Sequence, residues 1–240
     1  MVQLEEIETL IRARYPILYL VTWEEKKMER LLGRLASRRK KKAYAWTYTQ
    51  GVHELGAPID VSKSKNSPTR DPCNALDQVI VSNEAALFVF KDLHPFLTKN
   101  NFSVIRKLRE VSQHIKNTYK SLIIVSPVLE LPVELEKDVT VIHLELPGVE
   151  EFSELLDRII KEVKDNPNVS IRVDAESKER VLHAALGLTL TEAENVFAKT
   201  IVSDGVLDSN DVSAIFAEKQ QIIRKSGLLE YYDTAEAFSD

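Results

Sequence analysis

At 240 residues the chain is long enough for one sizeable domain, or for one domain with a smaller companion. Its hydrophobic content of 44% with 29% charged residues is that of a folded globular protein and excludes a disordered one. A net charge of −5 argues against broad electrostatic binding to nucleic acid, and the single cysteine, Cys73, excludes an internal disulfide and suits a reducing compartment. The opening MVQLEEIETL lacks the basic-then-apolar pattern of a secretory signal. No apolar stretch approaches the ~20 residues of a membrane helix. A cytoplasmic setting is therefore expected.

Leu4, Ile7, Leu10 and Ile11 recur at helical spacing and predict an amphipathic helix over 3–14, which Pro16 ends. Ile17-Leu18-Tyr19-Leu20-Val21 reads as a buried strand. It passes within two residues into a helix with Met28, Leu31, Leu32 and Leu35 on one face and a basic tail, Arg38 to Lys42. AYAWTYT (43–49) predicts a second strand. Residues 50–72, rich in Gly, Pro, Ser and Asn, read as a long loop, either disordered or a partner contact. A helix from Cys73 to Val81 leads into ALFVFKD (86–92), the third strand. The stretch 101–117 is a helix with Val104, Leu108, Val111 and Ile115 along one side. SLIIVSP (121–127) and VTVIHLEL (139–146) are the fourth and fifth strands.

Runs such as LFVF and LIIV are apolar on both faces, as strands covered by helices on both sides of a parallel sheet must be. The expectation is a three-layer α/β/α domain with a five-stranded parallel sheet over 1–148, ending at Pro147-Gly148. A small helical bundle over 149–227 follows. Phe152, Leu155, Leu156, Ile159 and Ile160 mark the face of its first helix, and Asp174 is an N-cap candidate for the second. Gly187 can end that helix. Thr189 or Thr191 can start the next, with Glu194 completing a capping box for Thr191. Asp208 is expected to cap a last helix to Lys225.

This layout, with three particular stretches, resembles the AAA+ ATPases. ALFVFKDLH stands in the place of the Walker B strand, four apolar residues before the acidic pair. SPVLELPVELEKDVTVIHLELPGVEEFSELLDRII is similar to the segment from the fourth strand through the fifth into the lid helix. LGLTLTEAENVFAKTIV resembles the lid turn. Those last two stretches, with IIRKSGLLEYYD and the final AFSD, are most similar to the plastid- and cyanobacterium-encoded AAA+ proteins of a hypothetical chloroplast reading frame. The resemblance implies a degenerate N-terminal ATPase-like domain with a helical lid, and residues 228–240 as a linker into an ATP-hydrolysing AAA+ domain. It implies ATP and magnesium as cofactors of the full-length protein and none for this chain. It also implies the following ATPase domain and other proteins as partners, a hexamer in the full-length form, and a plastid stroma setting where the gene is plastid-encoded. This chain alone is expected to be a monomer or weak dimer.

The residues at the expected nucleotide site argue against binding without any family. A phosphate loop needs glycines whose backbone N–H groups turn toward the phosphates, a lysine, and a Ser/Thr for magnesium. Here the turn reads Thr22-Trp23-Glu24-Glu25. Trp23 is expected to fill the phosphate space, and Glu24 and Glu25 to place negative charge at a helix N-terminus that would otherwise favour an anion. At the Walker B position stand Lys91 and Asp92; the lysine would repel magnesium, and Asp92 could pair with Lys91 or His94. Residues 134–141 contain no arginine finger. The reading is a non-catalytic domain acting in assembly, regulation or client recruitment. The alternative is a nucleotide-binding or phospho-acceptor regulator with an atypical site at the strand ends, Asp92 being the acceptor.

Two further features complete the inventory. Arg34, Arg38, Arg39, Lys40, Lys41 and Lys42 form the most basic spot. They read either as a solvated helix C-terminus or as a partner contact, with Tyr44, Trp46 and Tyr48 nearby for stacking. The five histidines show no metal-ligand spacing, and no metal site is expected.

Overall fold

The computed structural model describes residues 2–58, 60, 62, 65–164, 166–167, 169–208 and 211–225. The chain divides into two compact units between Glu145 and Leu146. The expected linker over 228–240 lies outside the described residues.

In the first unit, helix α1 (Val2–Arg12), strand β1 (Ile17–Val21), helix α2 (Glu25–Arg38) and strands β2 (Lys42–Thr47) and β3 (Gly51–Glu54) come first. Helix α3 (Pro72–Val81), β4 (Ala86–Lys91), α4 (Phe102–Ile115), β5 (Ser121–Ser126) and β6 (Val139–His143) follow. The sheet order is β3-β2-β4-β5-β1-β6, and every pair is parallel except β2–β3. From β1 the chain crosses three positions to β2, then steps back through β4 to β5. Right-handed crossovers in opposite directions place their helices on opposite faces of the sheet. The core divides accordingly. Ile17, Tyr19, Phe88, Phe90, Leu122 and Ile124 pack with α3 and α4, while Leu18, Leu20, Leu87, Val89, Ile123 and Val125 pack with α1 and α2.

The five parallel strands read from the sequence are present, but the uninterrupted loop expected over 50–72 is corrected. A sixth strand, β3, pairs antiparallel with β2 in this stretch, from Tyr44↔Glu54 to Thr47↔Gly51. Its support comes from outside the ladder. Val52 N donates to Thr69 Oγ1 at 2.9 Å, and the buried Trp46 donates its indole N–H to Thr69 O at 2.7 Å. Gly51 has φ +73°, and a Cβ there would come within 2.5 Å of the Ser67 and Thr69 hydroxyls, so glycine is required.

The second unit is not wholly helical either. Helices α5 (Val149–Val163), α6 (Ala175–Ala185), α7 (Leu190–Asp204) and α8 (Asp211–Lys225) enclose Phe152, Leu156, Val181, Phe197 and Ile215. A two-residue parallel ladder joins β7 (Ser170–Ile171) to β8 (Val206–Leu207). Asp174 caps α6, accepting from Ser177 N at 2.7 Å. The capping box of α7 is Thr189 with Glu192, so Thr191 and Glu194 do not form it.

One buried cation holds the first unit's periphery together. Lys120 Nζ donates to the carbonyls of Val79, Ile80 and Ser82 at 2.8, 2.9 and 2.8 Å, closing the C-terminus of α3, although burial lowers its pKa. Lys120→Met leaves those three carbonyls without the donor and is expected to cost about 2–3 kcal/mol in urea unfolding. An unchanged unfolding midpoint would mean that the cap contributes nothing.

Candidate functional site

The carboxyl ends of parallel strands gather the groups the sequence singled out, and in open α/β sheets ligands bind outside those ends. Thr22 leaves β1 with its N–H on Ser126 O at 2.9 Å, and its buried hydroxyl accepts from Glu24 N at 3.0 Å. That side-chain bond shapes the first turn of α2. Trp23 does not fill the turn, as had been expected: it is 68% exposed, because the backbone between two anchored neighbours directs its side chain outward. Glu24 is 6% exposed, and Glu25 opens the helix. Among the described non-glycine residues, only Arg14, Lys40 and Asp92 have positive φ, so the Thr22–Glu25 turn contains none of the left-handed residues that build a nest of N–H groups.

Lys91, the last residue of β4, is 9% exposed. Its ammonium lies 2.6 Å from Glu29 Oε2 and 3.2 Å from Glu25 Oε1, one turn apart on α2. Burial pushes the lysine pKa down, but the Glu29 hydrogen bond and the charges of Glu25 and Glu29 outweigh it and hold the pKa above the ordinary value. Glu29 uses its second oxygen to accept from Gly56 N at 2.9 Å, so one carboxylate joins β4, α2 and the turn after β3.

Asp92 does not pair with Lys91; its carboxylate faces outward, 3.9 Å from His94 Nδ1. The same imidazole nitrogen lies 2.7 Å from Ser126 Oγ. The Ser126 hydroxyl also lies 3.0 Å from Val128 O, so its one proton serves either that carbonyl or the imidazole nitrogen. This is not a nucleophilic triad. The serine and the aspartate meet one ring nitrogen, whereas a relay places them on opposite nitrogens, and Ser126 is buried. Tyr19 donates from the sheet beneath to Val128 O at 2.6 Å, and burial raises its pKa.

The basic residues lie at the other end of the strands, since Lys42 begins β2 while Lys91 ends β4. The two groups of site candidates are therefore not brought together. The aromatic residues expected beside the basic run are engaged elsewhere. Trp46 is buried against Phe90, Tyr44 stacks on Phe88 and bonds Glu84, and Arg70 lies over Tyr48. No group of three metal-ligating side chains occurs among the described residues. Burial raises the Cys73 pKa, which disfavours its thiolate. Sequence reasoning missed Glu29 and Ser126. The signal for Glu29 was its i, i+4 spacing from Glu25, which sets two carboxylates on one helix face. Nothing local marked Ser126.

Comparison with known proteins gives the following. The chain matches the family described as SpoVK-like AAA ATPase, its N-terminal domain over residues 3–144 and its second domain over 150–226. The AAA domain-containing protein ycf46 of Trieres chinensis is 29% identical over 235 residues, covering 97% of this chain and 44% of that protein. The ycf46 protein of Pyropia yezoensis is 31% identical over 231 residues, covering 95% and 44%. The chain thus spans less than half the length of these relatives. Among solved structures, the FIGL-1 AAA domain superposes with a TM-score of 0.59 at 8% identity, covering 94% of this chain and 83% of that one. The FIGL-1 AAA domain in complex with ADP gives 0.54 at 12%, covering 87% and 72%. C. elegans PCH-2 gives 0.58 at 10%, covering 92% and 68%. These structures share the fold.

Lys91→Met strands two carboxylates beside a buried methionine and is expected to cost about 2–4 kcal/mol of unfolding free energy. Because the folded-state pKa of Lys91 lies above its unfolded value, the wild-type advantage is complete below the ordinary lysine value of 10.5 and shrinks as pH rises past it. Denaturant titrations of both proteins from neutral to alkaline pH measure this; a gap that widened at high pH would contradict the ion pair.

Proposed function

The chain belongs to the SpoVK-like AAA ATPase family, and we propose that it is a non-catalytic N-terminal module acting in assembly, regulation or client recruitment for an ATP-hydrolysing domain that would follow it. The observation that carries this reading is the Lys91 ion pair. In the family, magnesium and nucleotide would be served from the ends of β1 and β4. Here a lysine ammonium, already bound by two carboxylates of α2, stands at the end of β4.

The groups present do not fit a magnesium–nucleotide. A cation would meet the Lys91 charge at close range. A phosphate would meet Glu24 and Glu25 at the helix N-terminus, where the dipole favours an anion only if no carboxylate already stands there. The Thr22 hydroxyl, which could otherwise turn toward a metal, is engaged by Glu24 N. The module's partners on this reading are the ATPase domain of the longer protein and other proteins, in the cytoplasm or the plastid stroma. ATP and magnesium belong to that domain, and ring closure into a hexamer, where it occurs, to the full-length protein.

Calorimetric titration of the chain with ATP and with ADP, each with magnesium, is expected to give no binding heat at high micromolar protein. Saturable micromolar binding would overturn the reading. Light scattering of the same preparation is expected to give a monomer or weak dimer, and a hexamer mass would show that assembly proceeds without nucleotide at the interface.

A further inference from the structure

The amino-terminal edge of the sheet carries a basic surface built from three separate stretches of chain. The end of α1 supplies Arg12 and Arg14, the end of α2 supplies Arg38 to Lys42, and the approach to β5 supplies Lys116 with Tyr119. Contacts tie the three together. Glu8 of α1 holds both Arg38 and Arg39, Lys41 Nζ donates to Tyr119 O at 2.8 Å, and the Arg14 guanidinium lies 4.8 Å from the Tyr119 ring centroid. Glu8 and Glu84 are engaged by the cluster's cations, and the charge of Glu54 also acts on Lys42. Among the described residues, Arg12, Arg34, Lys40 and Lys116 hold no carboxylate. Crowding is felt at Lys41, whose pKa is lowered by burial and by the charge of Arg39.

Favourable charge at helix C-termini accounts for cations in a last helical turn. It does not account for Arg14 and Lys40. These two have φ of 60° and 51°. Tyr15 N donates to Leu10 O and Lys41 N to Ala36 O, so both turns close as Schellman motifs with Arg14 and Lys40 at the left-handed position. Glycine is the ordinary occupant there, and this chain uses Gly205, with φ 74°, in the corresponding place after α7. Two strained backbone positions are thus given to exposed cations, and persistent strain of this kind collects at functional surfaces.

The charge of the chain is also partitioned. Residues 1–145 carry 22 Lys and Arg against 18 Asp and Glu, a net of +4, while residues 146–240 carry 10 against 19, a net of −9.

We propose that this basic edge is a docking surface for an acidic polypeptide segment of a partner protein. Glu8 displays the mode of binding: one carboxylate received by two adjacent guanidinium groups, the strong charge-assisted geometry that arginine offers to carboxylates. Nucleic acid fits less well. Base stacking needs open ring faces, and here Arg14 takes one face of Tyr119 while Tyr44 and Trp46 are stacked inside the fold. The surface lies at the opposite end of the strands from Lys91, so this inference does not rest on the nucleotide reading.

The test is fluorescence anisotropy of a fluorescein-labelled oligoglutamate titrated with the whole chain, with an oligothymidylate of matched charge as the comparison. The double variant Arg14→Gly with Lys40→Gly removes two cations while relieving the backbone. Its thermal midpoint is therefore expected to hold or rise while oligoglutamate affinity falls by about three- to tenfold. Binding by the wild type is expected to weaken as sodium chloride is raised. Unchanged affinity in the double variant, or no saturable binding of oligoglutamate to the wild type, would overturn the proposal. Tighter binding of the oligothymidylate would overturn it in favour of a nucleic-acid surface.

Discussion

Every position of β4 is buried, and its last one is a lysine. Removing an ammonium from water costs several kcal/mol unless counter-charges meet it at close range. Lys91 meets two, and the geometry of the carboxyl edge depends on that requirement. Glu25 and Glu29 face the sheet only if α2 is rotated so that both carboxylates reach Lys91 Nζ. With α2 so placed, the preceding turn is short, anchored by Thr22 at one side and Glu24 at the other, and Trp23 is left outside. The second oxygen of Glu29 carries the constraint on to Gly56, and so to the turn that follows the edge strand β3. The Glu29 carboxylate thereby joins the end of β4, helix α2 and the turn after β3. On the proposed reading, the protein's own lysine and glutamates occupy the electrostatic roles that a metal and its ligands would otherwise hold.

How much of this was legible in the sequence depended on the range of the interaction. The parallel strands were legible because covered strands must be apolar on both faces, as Leu87 to Phe90 and Leu122 to Val125 are. The β3 strand was not. It has four residues, its apolar content is essentially Val52, and its stabilising partner Thr69 lies 17 residues away inside what reads as a turn-rich loop. The β7–β8 ladder has two residues per strand, below any periodicity signal. Capping was legible because its chemistry is local: Asp174 caps α6 and Thr189, one of the two threonines offered, caps α7, and only the capping box is displaced, from Thr191–Glu194 to Thr189–Glu192.

The same division holds for the site. That Lys91 is the wrong charge for a metal site was readable from one strand. That it is neutralised by Glu29, 62 residues distant in the chain, was not. The exposure of Trp23 was not legible from its bulk, because the Thr22 hydroxyl bonded to Glu24 N forms the turn around it. His94 and Ser126 meet only because β4 and β5 are neighbours, and pairing is set by the order of the whole sheet.

The two ends of the sheet then differ in how their charges are treated. At the carboxyl end, Lys91 is buried and paired with Glu25 and Glu29, and Glu29 is shared with the Gly56 N–H, while the Asp92 carboxylate faces outward. At the amino end, cations outnumber the carboxylates among them and two of them stand on left-handed backbone that glycine would occupy with less strain. Strain of that kind persists only when surrounding structure or function maintains it. Surrounding structure does not require a cation at either place: the Schellman bonds of Tyr15 N and Lys41 N are made by the backbone, whatever side chain precedes them. Arg14 also lies over the Tyr119 ring, and what remains to account for Lys40 is the charge it presents to solvent. On the two proposals taken together, the Lys91 ion pair closes the carboxyl end of the sheet, and the charge left for an acidic partner to meet lies at the amino end.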